Sequence, residues 1–205
     1  MPYQKPLQDR ARRTEQRFLD ALTALLDSHG FQATTVERIA DQAGLTRGAF
    51  MKRFGSKKGA LLLLFSQYAD RASALMQTYV STLDDHPNLT SLFLDMSQRF
   101  ESLLTENFAV NRAMDELFRA THEWQDRTAE IHFECVDMMA HIQRHFISPD
   151  YSDPQAARNS AQLLITINFN YVMNAMRSLP PDPLERHRVI ADILAMLLTR
   201  PTDKR

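Results

Sequence analysis

The stretch GLTRGAFMKRFGSKKGALL, Gly44–Leu62, holds five basic residues and no acidic one, in a chain of 205 residues whose formal net charge is -1. Arg47, Lys52, Arg53, Lys57 and Lys58 alternate with apolar residues at helical spacing. The chemistry this offers is an electrostatic grip on a polyanion. The wider charge distribution agrees: residues 1–58 carry 11 Lys and Arg against 6 Asp and Glu, and the remainder 13 against 19. A basic head on an acidic body is the asymmetry expected of a chain whose front end meets nucleic acid.

Other reactive side chains lead less far. HIQRH sets His141 and His145 four apart on one helical face, with Asp137 four residues earlier. That spacing can ligate a metal, but no third ligand is evident, and a surface or pocket-lining pair is expected instead. Cys135 has no evident cationic neighbour in HFECVDMM, so a buried small residue is expected rather than a redox sensor. As the single cysteine it excludes an internal disulfide and fits a reducing cytoplasm. No nucleophile, base and orienter come together, and no glycine-rich loop cradles a phosphate. No catalytic residue, metal or cofactor is therefore expected.

The elements that must position the basic stretch are helices. Glycine is scarce, at 5 residues, and apolar residues recur every three or four positions, so an all-α chain of about nine helices is expected. No apolar run is long enough to span a membrane, and the polar N-terminus lacks a secretory core. A first helix from about Asp9 to His29 buries Phe18, Ala21, Leu22, Leu25 and Leu26, and Gly30 stops it. Arg10, Arg12, Arg13 and Arg17 crowd its first turns against the dipole preference, which suggests that they meet phosphates. Thr34 and Glu37 form a capping box for a short second helix carrying Val36, Ile39, Ala40 and Ala43 inward, and Gly44 ends it. Thr46 caps a third helix whose inner face is Phe50 and Phe54. Arg47, Gly48, Met51, Lys52 and Arg53 then point mostly outward. Two short helices, a tight turn and a basic outer face make a helix-turn-helix. Gly48 costs about 1 kcal/mol relative to Ala, which makes sense where a DNA backbone or base edge must come close.

Gly30, Thr34, Thr35, Ile39, Ala40, Ala43, Gly44, Thr46, Gly48, Phe50, Phe54, Ser56 and Lys57 fall on the pattern G-x-x-x-T-T-x-x-x-I-A-x-x-A-G-x-[ST]-x-G-x-[LIF]-Y-x-x-F-x-[SD]-K. Residues 10–65 thus resemble the DNA-binding domain of the TetR family of bacterial transcriptional repressors. The resemblance implies DNA contacts from Arg13, Thr34, Thr35, Thr46, Arg47, Gly48, Met51, Lys52, Arg53 and Lys57. The chain departs from the family at Met51-Lys52-Arg53, where an aromatic such as Tyr is usual. The segment should therefore grip DNA by charge more than by a phenol. A DNA-binding domain over 1–56 and a helical ligand-binding and dimerisation domain over 57–205 are expected.

In that larger domain a long helix from Lys57 to about Leu83 is broken by DDHPN. Helices near 89–106, 109–121 and 123–146 follow, then one opening at Pro154 and a last one after LPPDP, ending near Thr199. Met96, Phe100, Phe118, Trp124, His132, Met139, Asn168 and Tyr171 are candidates to line a pocket for a small apolar or aromatic effector. The last two helices carry apolar stripes, and the resemblance implies that they pair across a homodimer through Leu164, Tyr171, Ile190, Ile193, Leu194 and Leu197. The expected whole is a cytoplasmic repressor bound to a palindromic double-stranded operator and released by its effector. The competing expectation is a ligand-binding or metal-dependent helical enzyme with a degenerate helix-turn-helix.

Overall fold

The computed structural model describes residues 9–120, 125–147, 153–174 and 180–199, with the side chains of 118–120, 125–129, 168, 171 and 174 excepted. The described residues form nine α-helices and one 3-10 turn, with no strand. These are α1 (Asp9–Ala33), α2 (Val36–Ala43), α3 (Arg47–Phe54), α4 (Lys57–Ser81), the turn Leu83–Asp85, α5 (Leu89–Glu106), α6 (Phe108–Ala120), α7 (Gln125–Phe146), α8 (Pro154–Asn174) and α9 (Pro183–Thr199).

The chain divides into two compact units. One comprises residues up to Tyr68 with α6, the other Ala69–Glu106 with α7, α8 and α9. This division differs from the expected boundary at 56/57. The first half of α4 buries Ala60, Leu61 and Phe65 and counts with the head, as does α6, which packs on α1.

The first unit is organised by three phenylalanines. The ring of Phe18 meets Phe50 edge-on at 5.3 Å between centroids and Phe54 at 5.9 Å, and Phe50 and Phe54 lie 4.8 Å apart. Such edge-to-face contacts add to simple burial, and all three rings are removed from solvent. They hold α3 against α1, with Leu19, Leu22, Ile39 and Ala40 filling the space between helices.

Gly30 does break the helix, with non-helical backbone at φ 74° and ψ 173°; a short further turn to Ala33 follows and buries Phe31. After that turn the cap of α2 falls one residue later than expected. Thr35, in extended backbone, accepts from the Arg38 amide, whereas the buried Thr34 hydroxyl donates to the Gly30 carbonyl at 2.8 Å. The expected Thr34 capping box is thereby corrected. Gly44 closes α2 in the left-handed region (φ 61°), and Thr46 caps α3 by accepting from the Ala49 amide at 3.2 Å.

In the second unit α9 packs chiefly on α5 and also on α8, which in turn packs on α5 and α7. The core is methionine-rich: Met96, Met138 and Met139 are fully buried beside Leu92, Phe93, Ile142, Leu164, Ile190 and Leu194. A charged cluster crosses from α5 to α9. Arg186, 1 % exposed, donates twice to Glu101 at 2.9 and 3.0 Å, and the Nε2 of His187 lies 3.3 Å from the same carboxylate. The other ring nitrogen, Nδ1, shares a 2.8 Å hydrogen bond with the Ser97 hydroxyl. Burial pushes the His187 imidazole below its ordinary range; Glu101 opposes that shift and Arg186 adds to it.

Candidate nucleic-acid interface

Thr35 and Thr46 mark the exposed rim of the helix-turn-helix. They sit at the N-termini of α2 and α3, each accepting from an amide of its own helix. The Thr35 hydroxyl also donates to the Glu37 carboxylate, while that of Thr46 keeps its hydrogen for a further acceptor. Between the two helices Arg47 Nε donates to Glu37 Oε1 at 2.7 Å. The Glu37 carboxyl is held below its ordinary range, first by a hydrogen bond to its own backbone amide and then by Arg47. Both side chains are more than half exposed, so the pair orients Arg47 without removing it from solvent.

Gly48, Met51 and Lys52 complete the face, all three exposed. A Cβ at Gly48 would meet nothing of this chain within 4 Å, and its φ is not positive. Nothing inside the molecule therefore requires glycine there, although the helix would be more stable with alanine. Arg13 is exposed on α1.

Three other cations expected near DNA are engaged by groups of their own chain, Lys57 and Arg53 half-buried and Arg17 exposed. Lys57 donates to the carbonyls of Phe31 at 2.5 Å and Thr34 at 2.6 Å, and its ammonium stands 4.0 Å from the Phe31 ring centre. Burial pushes its pKa down. The end of α1 presents carbonyls without helical partners and the negative pole of the dipole, a natural seat for a cation. Arg53 lies on the flank of the Phe50 face, 23 % exposed, with Nε 3.8 Å from Glu15. Arg17 Nη2 donates to the Ala43 carbonyl at 2.5 Å and caps the end of α2. Thr34 is 1 % exposed. Thr34 is thus withdrawn from solvent, Arg53 and Lys57 are half-buried against groups of their own chain, and Arg17 remains exposed. Sequence spacing could not show it, because each cation reaches a residue distant along the chain. Glu15 is the positioning group that sequence reasoning did not single out.

Residues 18–63 match the family described as bacterial regulatory proteins, tetR family. The head is thus similar to the N-terminal module of the TetR family. The chain is also 30% identical over 98 residues to the uncharacterised HTH-type transcriptional regulator YvkB of Bacillus subtilis, covering 47% of this chain and 52% of YvkB. It therefore spans about half the length of that relative. Its fold is shared with solved structures. The fatty acid degradation regulator FadR from Bacillus halodurans superposes with a TM-score of 0.67 at 14% identity, covering 98% of this chain and 100% of FadR. The TetR family transcriptional regulator PfmR from Thermus thermophilus gives 0.64 at 16% identity, covering 92% and 97%.

Elsewhere the expected sites are placed as follows. Met96 and Met139 are fully buried, Phe100 stacks on Tyr79 with centroids 6.5 Å apart, and His132 is half-buried. Trp124 and the side chains of Phe118, Asn168 and Tyr171 lie outside the described residues. Leu164, Ile190 and Leu194 are at most 1 % exposed within the single chain. They form its own core, which corrects their assignment as contacts to a second copy. Ile193 and Leu197 stay half-buried. His145 faces Asp84 at 3.5 Å, and no three His, Cys, Asp or Glu converge among the described residues. Cys135 is buried, and burial pushes its thiol up to about 12.

Proposed function

We propose that this chain is a TetR-family transcriptional regulator, a repressor, that binds a two-fold operator as a homodimer through α3 and is released by a small molecule held in the second unit. The observation that carries the reading is the α3 face. Arg47, Gly48, Met51 and Lys52 are presented together, Thr35 and Thr46 flank them, and the only glycine without an internal reason stands at the centre. A nucleic-acid backbone or base edge is the partner that such a gap admits.

The homodimer is supported by apolar surface left on the last two helices. On α9, Val189, Ile193 and Leu197 are half-buried and Met196 is 60 % exposed, opposite the buried Ile190, Leu194 and Leu198. On α8, Leu163 and Ile167 are likewise half-buried. A two-fold pairing would cover both stripes and supply the second recognition helix that a half-site reader needs. The continuous helix α4, from Lys57 to Ser81, is the covalent route by which an effector can bias DNA binding.

The test is selection of bound duplexes from a random pool, followed by titration of the winning duplex in fluorescence anisotropy at several salt concentrations. Lys52→Ala and Arg47→Ala are expected to weaken binding with the fold intact, and affinity should fall steeply with salt. Absence of any salt-sensitive duplex interaction would sink the reading.

A further inference from the structure

Within the second unit, α4 and α7 enclose a groove of about 250 Å³ lined by Ser73, Met76, Gln77, Val80, Glu134, Asp137, Met138 and His141. Its floor is apolar: Met76 and Met138 are buried and Val80 half-buried. One wall carries two carboxylates, and no Lys or Arg lines it. Glu134 is half-buried and accepts a hydrogen bond from the Ser73 hydroxyl. Asp137 is exposed at the rim, one turn along α7. Among the described residues neither carboxylate has an ion-pair partner.

We infer that this groove binds a small organic cation with an apolar body, an ammonium group attached to a compact hydrocarbon or aromatic skeleton. The charge complement is direct. Two unneutralised carboxylates beside low-dielectric side chains raise the local affinity for a cation above that of open surface. The floor selects the rest of the ligand: thioethers are polarizable and adaptable, and they pack well against aromatic rings. The volume admits a ligand of about the size of a substituted benzylamine, at the small end of ligand sites. A bare metal ion is a poorer occupant, because no three ligating side chains converge among the described residues and the thioethers of the floor are soft. Gln77 and His141 supply hydrogen-bonding edges at the mouth. The inference rests on the reading of the second unit as an effector-binding body, and it names the effector's chemistry.

The experiment is calorimetric titration of the full chain with benzyltrimethylammonium chloride, with phenylacetate as the anionic counterpart. Saturable binding of the cation is expected, weakened about three- to tenfold by Glu134→Gln or Asp137→Asn, and more by the two together. Both substitutions are nearly isosteric, and the amide introduced by Glu134→Gln keeps an oxygen that can accept from Ser73; far-UV circular dichroism checks the fold. The inference is overturned if the cation does not saturate, if the double variant binds as tightly as the parent, or if phenylacetate binds equally well. No DNA is present in this titration, so its failure leaves the regulator reading standing. Failure of duplex binding in anisotropy would leave the groove's chemistry untouched.

Discussion

The ammonium of Lys57 lies 2.5 Å from the carbonyl oxygen of Phe31 and 4.0 Å from the centre of its ring, so the lysine at the start of α4 clamps the end of α1. Lys57 and Lys52 belong to one basic segment, yet Lys52 stands exposed on the outer face of α3. Lys57→Met should therefore cost about 1–3 kcal/mol of stability through the two lost charge-assisted hydrogen bonds. It should leave the salt dependence of duplex binding unchanged. Lys52→Ala should do the opposite, lowering the slope of log K against log salt by about one per protomer with little change in stability. Urea denaturation and salt-varied anisotropy on both variants separate the two roles.

Gly44 and Gly48 make a second contrast, best seen by substituting each with alanine. At Gly44 a side chain would sit at φ 61° and meet Arg17 Nη2 at 2.9 Å. Gly44→Ala should destabilise the head by about 1–2 kcal/mol and loosen the α2 cap. Gly48→Ala should instead stabilise it by up to about 1 kcal/mol while weakening duplex binding, since the methyl group fills the gap reserved for the partner. Thermal melts and anisotropy on the pair check both signs.

The α5–α9 cluster makes a pH-dependent prediction. A histidine whose folded pKa lies below its ordinary 6.5 binds fewer protons when folded than when unfolded. Stability then rises with pH between the folded value and 6.5, and is lost as the solution is acidified through that window. His187→Gln should flatten this limb in denaturation midpoints measured from neutral pH downward. Arg186→Met should cost about 3–5 kcal/mol, because it leaves Glu101 half-buried without its bidentate partner. Adding Glu101→Gln should recover part of that loss.

Two residues on α9 distinguish core from interface. Leu194→Ala should destabilise the chain by about 2–5 kcal/mol, as truncation of a fully buried leucine does. Met196→Asp should leave the fold intact and shift the protein to monomer in sedimentation velocity, with a loss of operator affinity. A dimer undisturbed by Met196→Asp would remove α9's outer face from the proposed interface.

How far the residues alone could lead depends on the range of the forces involved. Helix periodicity, the Gly44 turn, the Thr46 cap and the Phe50/Phe54 inner face are local. Each is set by backbone sterics and side-chain spacing within a few residues, and each stands where spacing placed it. The family resemblance of the head, too, was legible, because its signature consists of these local devices. What lay beyond reach were choices between partners distant in sequence. The cap of α2 falls on Thr35 and not Thr34, after a short turn past Gly30 in which Phe31 is buried. The assignment of Leu164, Ile190 and Leu194 failed for a related reason: an apolar stripe declares that it will be covered but not by what.

Charge, periodicity and capping act over single turns, so the residues alone imply an all-helical chain with a basic helix-turn-helix at its front. Only the tertiary structure decided which cations remain available to a partner. Arg53 and Lys57 are half-buried against a carboxylate and a helix end, and the exposed Arg17 is tied to a carbonyl, all far from them along the chain. Lys52 stays outside, and so does Arg47, beside a carboxylate that is itself exposed. A formal charge is a property of the residue, but its availability depends on what the fold brings beside it.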